Sequence, residues 1–178
     1  MNTGEHQKGF KCITPENWRS KDEVAQYFIQ DPNIWIALYL SPKLAPQVPK
    51  DISAMFEVAR GSMVYGWYFY PLLTLGMEQC YRITEAAVRF RCQQLGEPLV
   101  SVSAKGRERQ KSFHELCQTL VQFGVIPESD VEFWEAARKL RNWASHPQDQ
   151  PINMPGQSAG VLQRTADKIN ELFTPAAS

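Results

Sequence analysis

Apolar residues recur at every third or fourth position along most of the chain after Asp51, the spacing typical of amphipathic α-helices. A long, largely helical segment is predicted from Asp51 to Gly96, with Gly96 as its C-terminal cap. Pro71 lies inside this segment and either kinks one helix or starts a second one. The second half is expected to bury an apolar face made of Leu73, Met77, Cys80, Ile83, Ala87 and Phe90.

Three further helices are predicted towards the C-terminus. The first covers Lys111 to Gly124, and the last carries Val161, Leu162, Thr165, Ile169 and Leu172. Between them, a helix is expected to begin with Ser129 as its N-cap and Glu132 as the capping-box partner, and to end within two residues of His146. Its predicted core face consists of Phe133, Ala136 or Ala137, Leu140 and Ala144.

These patterns predict an all-α fold, a bundle of four to five helices over residues 51–178. No convincing strand alternation appears after residue 51, and we take the absence of strands from residues 72 to 145 as a requirement of this architecture. Residues 1–50 are predicted to be an irregular N-terminal extension. It contains a short helix within Ser20 to Asp31, with Ser20 as candidate N-cap, an unassigned apolar run from Ile34 to Leu40, and a proline-rich linker.

Charge and cysteine usage narrow the classes of function. Nineteen basic residues balance nineteen acidic ones, so any affinity for nucleic acid must come from a local patch. The four cysteines form no CxxC pair, which favours reduced, mostly buried thiols in a cytoplasmic protein with no metal site and no cofactor. The most apolar stretch, Met63 to Met77, is shorter than the roughly 20 residues of a membrane helix, and no signal peptide is expected.

The stretch KLRNWASHP, from Lys139 to Pro147, carries the chemistry-bearing residues. Pro147 disfavours a helical conformation for His146, so the imidazole is expected to leave the helix and turn back towards Arg141. Arg138, Arg141 and Ser145 share one helical face, and Asn142 lies beside it. Arginine binds phosphate through two parallel donors and histidine transfers protons near neutral pH, which suits metal-free cleavage of RNA by the adjacent 2′-OH. The alternative is an ordinary helix end whose cations complement the helix dipole.

At these residues the sequence resembles the HEPN family, whose signature is an arginine, a polar residue and, four to six positions after the arginine, a histidine. Here the motif runs from Arg141 through Asn142 to His146, and residues 116–147 resemble the third and fourth helices of HEPN proteins from bacterial defence and toxin systems. The resemblance implies a homodimeric endoribonuclease in which Arg141 and His146 of both protomers are catalytic and meet in one cleft.

The same resemblance leaves a second function open, since some HEPN proteins are catalytically silent modules that bind a partner protein or a nucleotide. As a ribonuclease, the protein would be a toxin or phage-defence effector, with RNA as substrate and an antitoxin as a further partner. Glu78 also has two interpretations. It either pairs with Arg82 one turn away on an exposed helix face, or faces the bundle and orients Arg141 from a neighbouring helix.

Overall fold

The computed structural model describes residues 10–102, 106–144 and 152–174, without the side chains of residues 141–144. The described chain forms seven α-helices and one short β-hairpin. The helices are α1 (Glu23–Phe28), α2 (Pro32–Leu40), α3 (Lys50–Tyr65), α4 (Leu72–Gln94), α5 (Phe113–Gln122), α6 (Val131–Ala144) and α7 (Pro155–Phe173). The strands are β1 (Val100–Val102) and β2 (Glu108–Gln110). The prediction of an all-α fold is confirmed, and α3 to α7 form the bundle.

The close approach of α3 and α4 organises the bundle. Pro71 starts α4 rather than kinking one long helix, and Gly96 adopts a φ of +77° directly after α4, as a terminating glycine does. Gly76 lies where α4 crosses α3, and a Cβ at this position would meet Met63 Cγ at 2.6 Å and the Ala59 carbonyl oxygen at 3.0 Å. Only a glycine therefore allows this separation of the two helices.

Residues N-terminal to the bundle add aromatic side chains to its core. Trp35 and Tyr39 of α2 are fully buried, and the indole of Trp35 donates to the carbonyl groups of Met63 and Val64 at the end of α3. The Tyr39 hydroxyl lies 2.9 Å from Ser158 Oγ in α7. The apolar run from Ile34 to Leu40 thus belongs to a helix, α2, that packs against both α3 and α7. None of the described helices combines the length and apolarity needed to span a membrane.

Two details of helix capping differ from the sequence prediction. Ser20 does not cap α1, because Asp22 does so by accepting from the Val24 amide at 2.9 Å, and its other oxygen accepts from the Tyr70 amide. Ser129 does not cap α6 either. It lies within a short 3₁₀ helix (Glu128–Asp130) that leads directly into α6. A capping box does occur at the start of α5, between Ser112 and Glu115.

The expected absence of strands between residues 72 and 145 is wrong. β1 and β2 pair antiparallel between α4 and α5, with Ser101 opposite Arg109. The requirement was too strict because a hairpin with three residues per strand lies outside the helical layers and replaces none of them. Its strands are half-buried to exposed, so their sequence does not show the apolar alternation that marks a strand packed on a core.

The buried face of α6 is rotated from its predicted position. Trp134 and Ala137 are buried, whereas Phe133 is half-buried and Ala136 and Leu140 are exposed. The rotation brings Arg138 towards α4 and α5. The helix is described as far as Ala144. Its predicted end, within two residues of His146, falls on residues outside the described part of the chain and stays a prediction.

The packing at Gly76 yields a prediction with an internal control. Gly76→Ala should lower the free energy of unfolding by about 1–3 kcal/mol, because the new methyl group displaces Met63 and the α3 backbone. Gly61→Ala, in α3, should raise it by about 0.5–1 kcal/mol, because nothing lies within 4 Å of its new Cβ and alanine favours a helix. Urea denaturation of both variants measures the difference, and equal changes would contradict the account.

Candidate functional site

The candidate residues at the end of α6 are only partly described. Arg138 is fully described and half-buried. Arg141 and Asn142 belong to α6, but their side chains lie outside the described residues, as do Ser145 and His146 altogether. The predicted approach of His146 to Arg141 therefore stays a prediction. Because Arg141 follows Arg138 by three positions, the two residues are on the same side of α6, and the surroundings of Arg138 define the approach to the motif.

Arg138 lines a cavity of about 390 Å³, located where α4, α5 and α6 meet the end of the hairpin. Eight of its nine lining side chains carry a polar group, and three of these are cationic. The lining residues are Tyr81, Thr84, Glu85, Arg89, Gln110, Lys111, Ser112, Phe113 and Arg138. We call this space the cationic cavity.

Each of its three cations contacts one carboxylate. Arg89 donates through Nε and Nη2 to Glu85 at 3.1 and 3.0 Å, and Arg138 donates through Nε to Glu135 at 2.9 Å. Since a guanidinium carries five N–H donors, these contacts use two in Arg89 and one in Arg138. Lys111 Nζ lies 3.5 Å from Glu97, which is longer than an N–H···O hydrogen bond. The cavity therefore retains donors that an anion can engage.

Glu135 connects Arg138 to a surface histidine. The imidazole Nδ1 of His114 lies 2.6 Å from one Glu135 oxygen, while the other oxygen accepts from Arg138. The hydrogen bond with His114, reinforced by the one from Arg138, holds the pKa of Glu135 below its usual range. Glu135 is thus an anion at neutral pH, and it fixes the direction of Arg138 from outside the cavity.

Hydrogen bonds at the start of α5 hold the part of the cationic cavity lined by Lys111 and Ser112. The Ser112 hydroxyl and amide both donate to Glu115 at 2.8 Å, and Arg109 makes two hydrogen bonds with the same carboxylate. The Lys111 amide donates to the Leu99 carbonyl at 2.8 Å and extends the hairpin pairing by one residue. Lys111 is therefore held at the base of the hairpin, next to the first turn of α5.

Sequence reasoning missed the role of two of these cations. Arg89 and Lys111 are not among the candidate site residues predicted from the sequence. For Lys111 the sequence did contain a signal, because Ser112 and Glu115 have the spacing of a capping box and so place Lys111 immediately before a helix. No comparable signal exists for Arg89, whose neighbours come from distant parts of the chain.

Glu78 lies in α4 and is half-buried. It contributes to the raised pKa of Tyr81 after two larger causes, the burial of the phenol and the nearby Cys80. It does not line the cationic cavity. Whether Glu78 orients Arg141 depends on a side chain outside the described residues, so this role stays a prediction.

The described cysteines are free thiols, and three of the four are buried. Burial raises the pKa of both Cys80 and Cys117 to about 12, so at neutral pH these groups are neutral and unsuited to nucleophilic attack. Among the residues that the structure describes, no three His, Cys, Asp or Glu side chains are grouped so as to hold a metal ion.

The described part of the site has the chemistry to bind an anion beside Arg138, one helical turn before Arg141. It consists of two guanidinium groups and one ammonium group around a polar space, with the neutral phenol of Tyr81 at its edge. Comparison with known proteins adds no family: no family model, curated protein or solved structure matches this chain.

Proposed function

We propose that the protein is a metal-independent endoribonuclease of the HEPN type, active as a homodimer in the cytoplasm. The observation that carries the proposal is the cationic cavity, which includes Arg138 and adjoins the α6 surface from which Arg141 follows one turn later. An RNA phosphate held there would bring the next phosphodiester close to the predicted pair of Arg141 and His146. A role as a toxin or phage-defence effector restrained by an antitoxin belongs to the same proposal.

In the proposed reaction, His146 accepts the proton of a ribose 2′-OH as this oxygen attacks the adjacent phosphorus. Arg141 binds the phosphate oxygens as negative charge develops on them. The bond to the 5′-oxygen breaks, that oxygen takes a proton from a water molecule, and a 2′,3′-cyclic phosphate remains on the other fragment. Protonated His146 then returns its proton to the solvent. Asn142 and Ser145 orient the pair through hydrogen bonds, Arg138 binds a flanking phosphate, and Glu78 positions Arg141.

A second candidate is a catalytically silent module that binds a partner protein or a nucleotide. One observation favours it: every cation of the cavity already contacts a carboxylate, as expected of side chains that stabilise helix packing. These ion pairs are partly exposed, and such pairs typically contribute about 0–1 kcal/mol, so a phosphate can displace them. Assays of RNA cleavage therefore decide between the two candidates.

The first functional prediction concerns the reacting residues. His146→Ala should lower the rate of RNA cleavage by roughly 10²- to 10⁴-fold, because it removes the proton-transferring group. Arg141→Lys should also lower the rate, since an ammonium does not reproduce the planar two-point contact. Cleavage of mixed-sequence RNA in EDTA, followed by sequencing of the ends, should reveal 2′,3′-cyclic phosphate or the 3′-phosphate derived from it.

Arg82→Lys is the matched control for these variants, because Arg82 is exposed on α4 and is not part of the cavity lining. Circular dichroism should show unchanged helix content in all three variants. EDTA-sensitive cleavage that leaves 5′-phosphates would refute the mechanism. Failure of the wild-type protein to cleave any RNA would leave the silent module as the better proposal.

The second prediction concerns assembly. A two-fold dimer should bury part of α6, because one arginine–histidine pair supplies few groups for a phosphate and two pairs double the cationic field in the cleft. Multi-angle light scattering at micromolar protein should give twice the 20.3 kDa mass of the chain. A monomer under these conditions would count against the proposed active form.

A further inference from the structure

A second, apolar cavity adjoins the cationic cavity. Its volume is about 150 Å³, and Tyr81 and Thr84 of α4 line both spaces. From α6 it is lined by Phe133, Ala136, Ala137 and Leu140, and from α7 by Val161, Arg164 and Thr165. The two cavities thus lie side by side on the same surface of α4, with α6 contributing Arg138 to one and an apolar strip to the other.

The apolar cavity has the chemistry of a site for a flat ring. Phe133 and Leu140 supply an aromatic ring and an aliphatic side chain, and both keep some exposed surface. Single-strand sites combine a cationic groove for the backbone with aromatic side chains on which the bases stack, and Phe133 supplies such a ring. Arg164 also lines this cavity, and its Nε donates to the Gly160 carbonyl at 3.4 Å.

The cationic cavity has the chemistry of a site for a phosphodiester. Three cations, Arg89, Lys111 and Arg138, and one carboxylate, Glu85, line this cavity. The two arginines retain donors beyond those engaged by carboxylates. Charge-assisted hydrogen bonds from guanidinium to phosphate are short and strong. A phosphate in this space and a base in the apolar cavity would be neighbours, as they are within one nucleotide.

We propose that the two cavities together bind one nucleotide of single-stranded RNA, with its phosphate among Arg89, Lys111 and Arg138 and its base against Phe133 and Leu140. This inference rests on the proposed ribonuclease function and names its substrate class. A base must leave its stack to enter the apolar cavity, so paired RNA is excluded. Because Arg141 follows Arg138 by one turn, the bound nucleotide flanks the cleaved bond and sets its position.

The test measures binding rather than cleavage, using full-length protein that carries His146→Ala, in EDTA. Fluorescence anisotropy follows a labelled single-stranded RNA of six nucleotides as salt increases. Lys111→Gln should weaken binding several-fold and reduce the slope of log affinity against log salt by about 0.7, the value for one phosphate contact on a single strand. Lys139→Gln is the control, because Lys139 is exposed on α6 and lines neither cavity.

The base site is tested by filling the apolar cavity from its exposed edge. Ala136→Phe should weaken binding of the base-containing RNA at least tenfold and leave binding of an abasic oligomer of the same length unchanged. Ala54→Phe, at an exposed position of α3, is the matched control and should change neither affinity. An equal loss for both oligomers would overturn the assignment of the base site.

Two outcomes would overturn the whole inference. One is an unchanged salt slope in Lys111→Gln, and the other is a duplex of the same sequence that binds as tightly as the single strand. Failure of the proposed ribonuclease function can be distinguished from failure of the nucleotide site. A wild-type protein that cleaves no RNA while Lys111→Gln and Ala136→Phe weaken binding as expected would refute the ribonuclease and support the nucleotide site.

Discussion

The close contact between α3 and α4 at Gly76 is the constraint on which the rest of the structure depends. It places α4 at the centre of the bundle, where it contacts α3, α5, α6 and α7. A helix surrounded in this way must present apolar atoms over most of its circumference, and α4 does so with residues such as Leu73, Ile83 and Val88. Its charged residues lie on the remaining surface, and Tyr81, Glu85 and Arg89 line the gap between α5 and α6.

The gap between α5 and α6 contains the cationic cavity, in which each cation is paired with a carboxylate. Ions removed from water are costly unless they are paired, and the three cations of the cationic cavity each have a carboxylate within 3.5 Å. The pairs remain partly exposed, so they contribute little to stability. Side chains that contribute little to folding and still carry donors are suited to binding an anion from solution. The arrangement therefore suits ligand binding better than it suits stabilisation of the bundle.

The two proposed functions share this scaffold and differ in what residues 141–146 do. The ribonuclease uses Arg89, Lys111 and Arg138 of the cationic cavity to bind an RNA phosphate, whereas in a silent module the same cations either bind a nucleotide or keep the ion pairs that stabilise helix packing. The ribonuclease needs in addition that His146 reaches the phosphate bound by Arg141, and that a second protomer completes the cleft. A silent module needs neither. Because the motif begins in α6 one turn after Arg138, which lines the cationic cavity, cleavage is the better proposal.

Much of the fold could be predicted from the sequence because the features that define a helix and its ends depend on residues close together in the chain. The apolar period, Pro71 at the start of α4 and Gly96 after its end each depend on a few adjacent residues, and each prediction agrees with the structure. Predictions of caps at Ser20 and Ser129 failed because other local hydrogen bonds were available. Asp22 accepts from two amides, and the chain enters α6 through a 3₁₀ turn.

Only the tertiary structure decided which residues surround Arg138. The observed buried face of α6 is rotated from the predicted one. Helix periodicity gives the width of an apolar strip but not its centre, which depends on how Trp134 packs against other helices. Arg89, Lys111 and Arg138 lie 22 and 27 positions apart along the chain, so no local pattern connects them. The sequence by itself determined the helices and the motif, and the packing of α4 against α5 and α6 determined the cationic cavity that Arg138 lines.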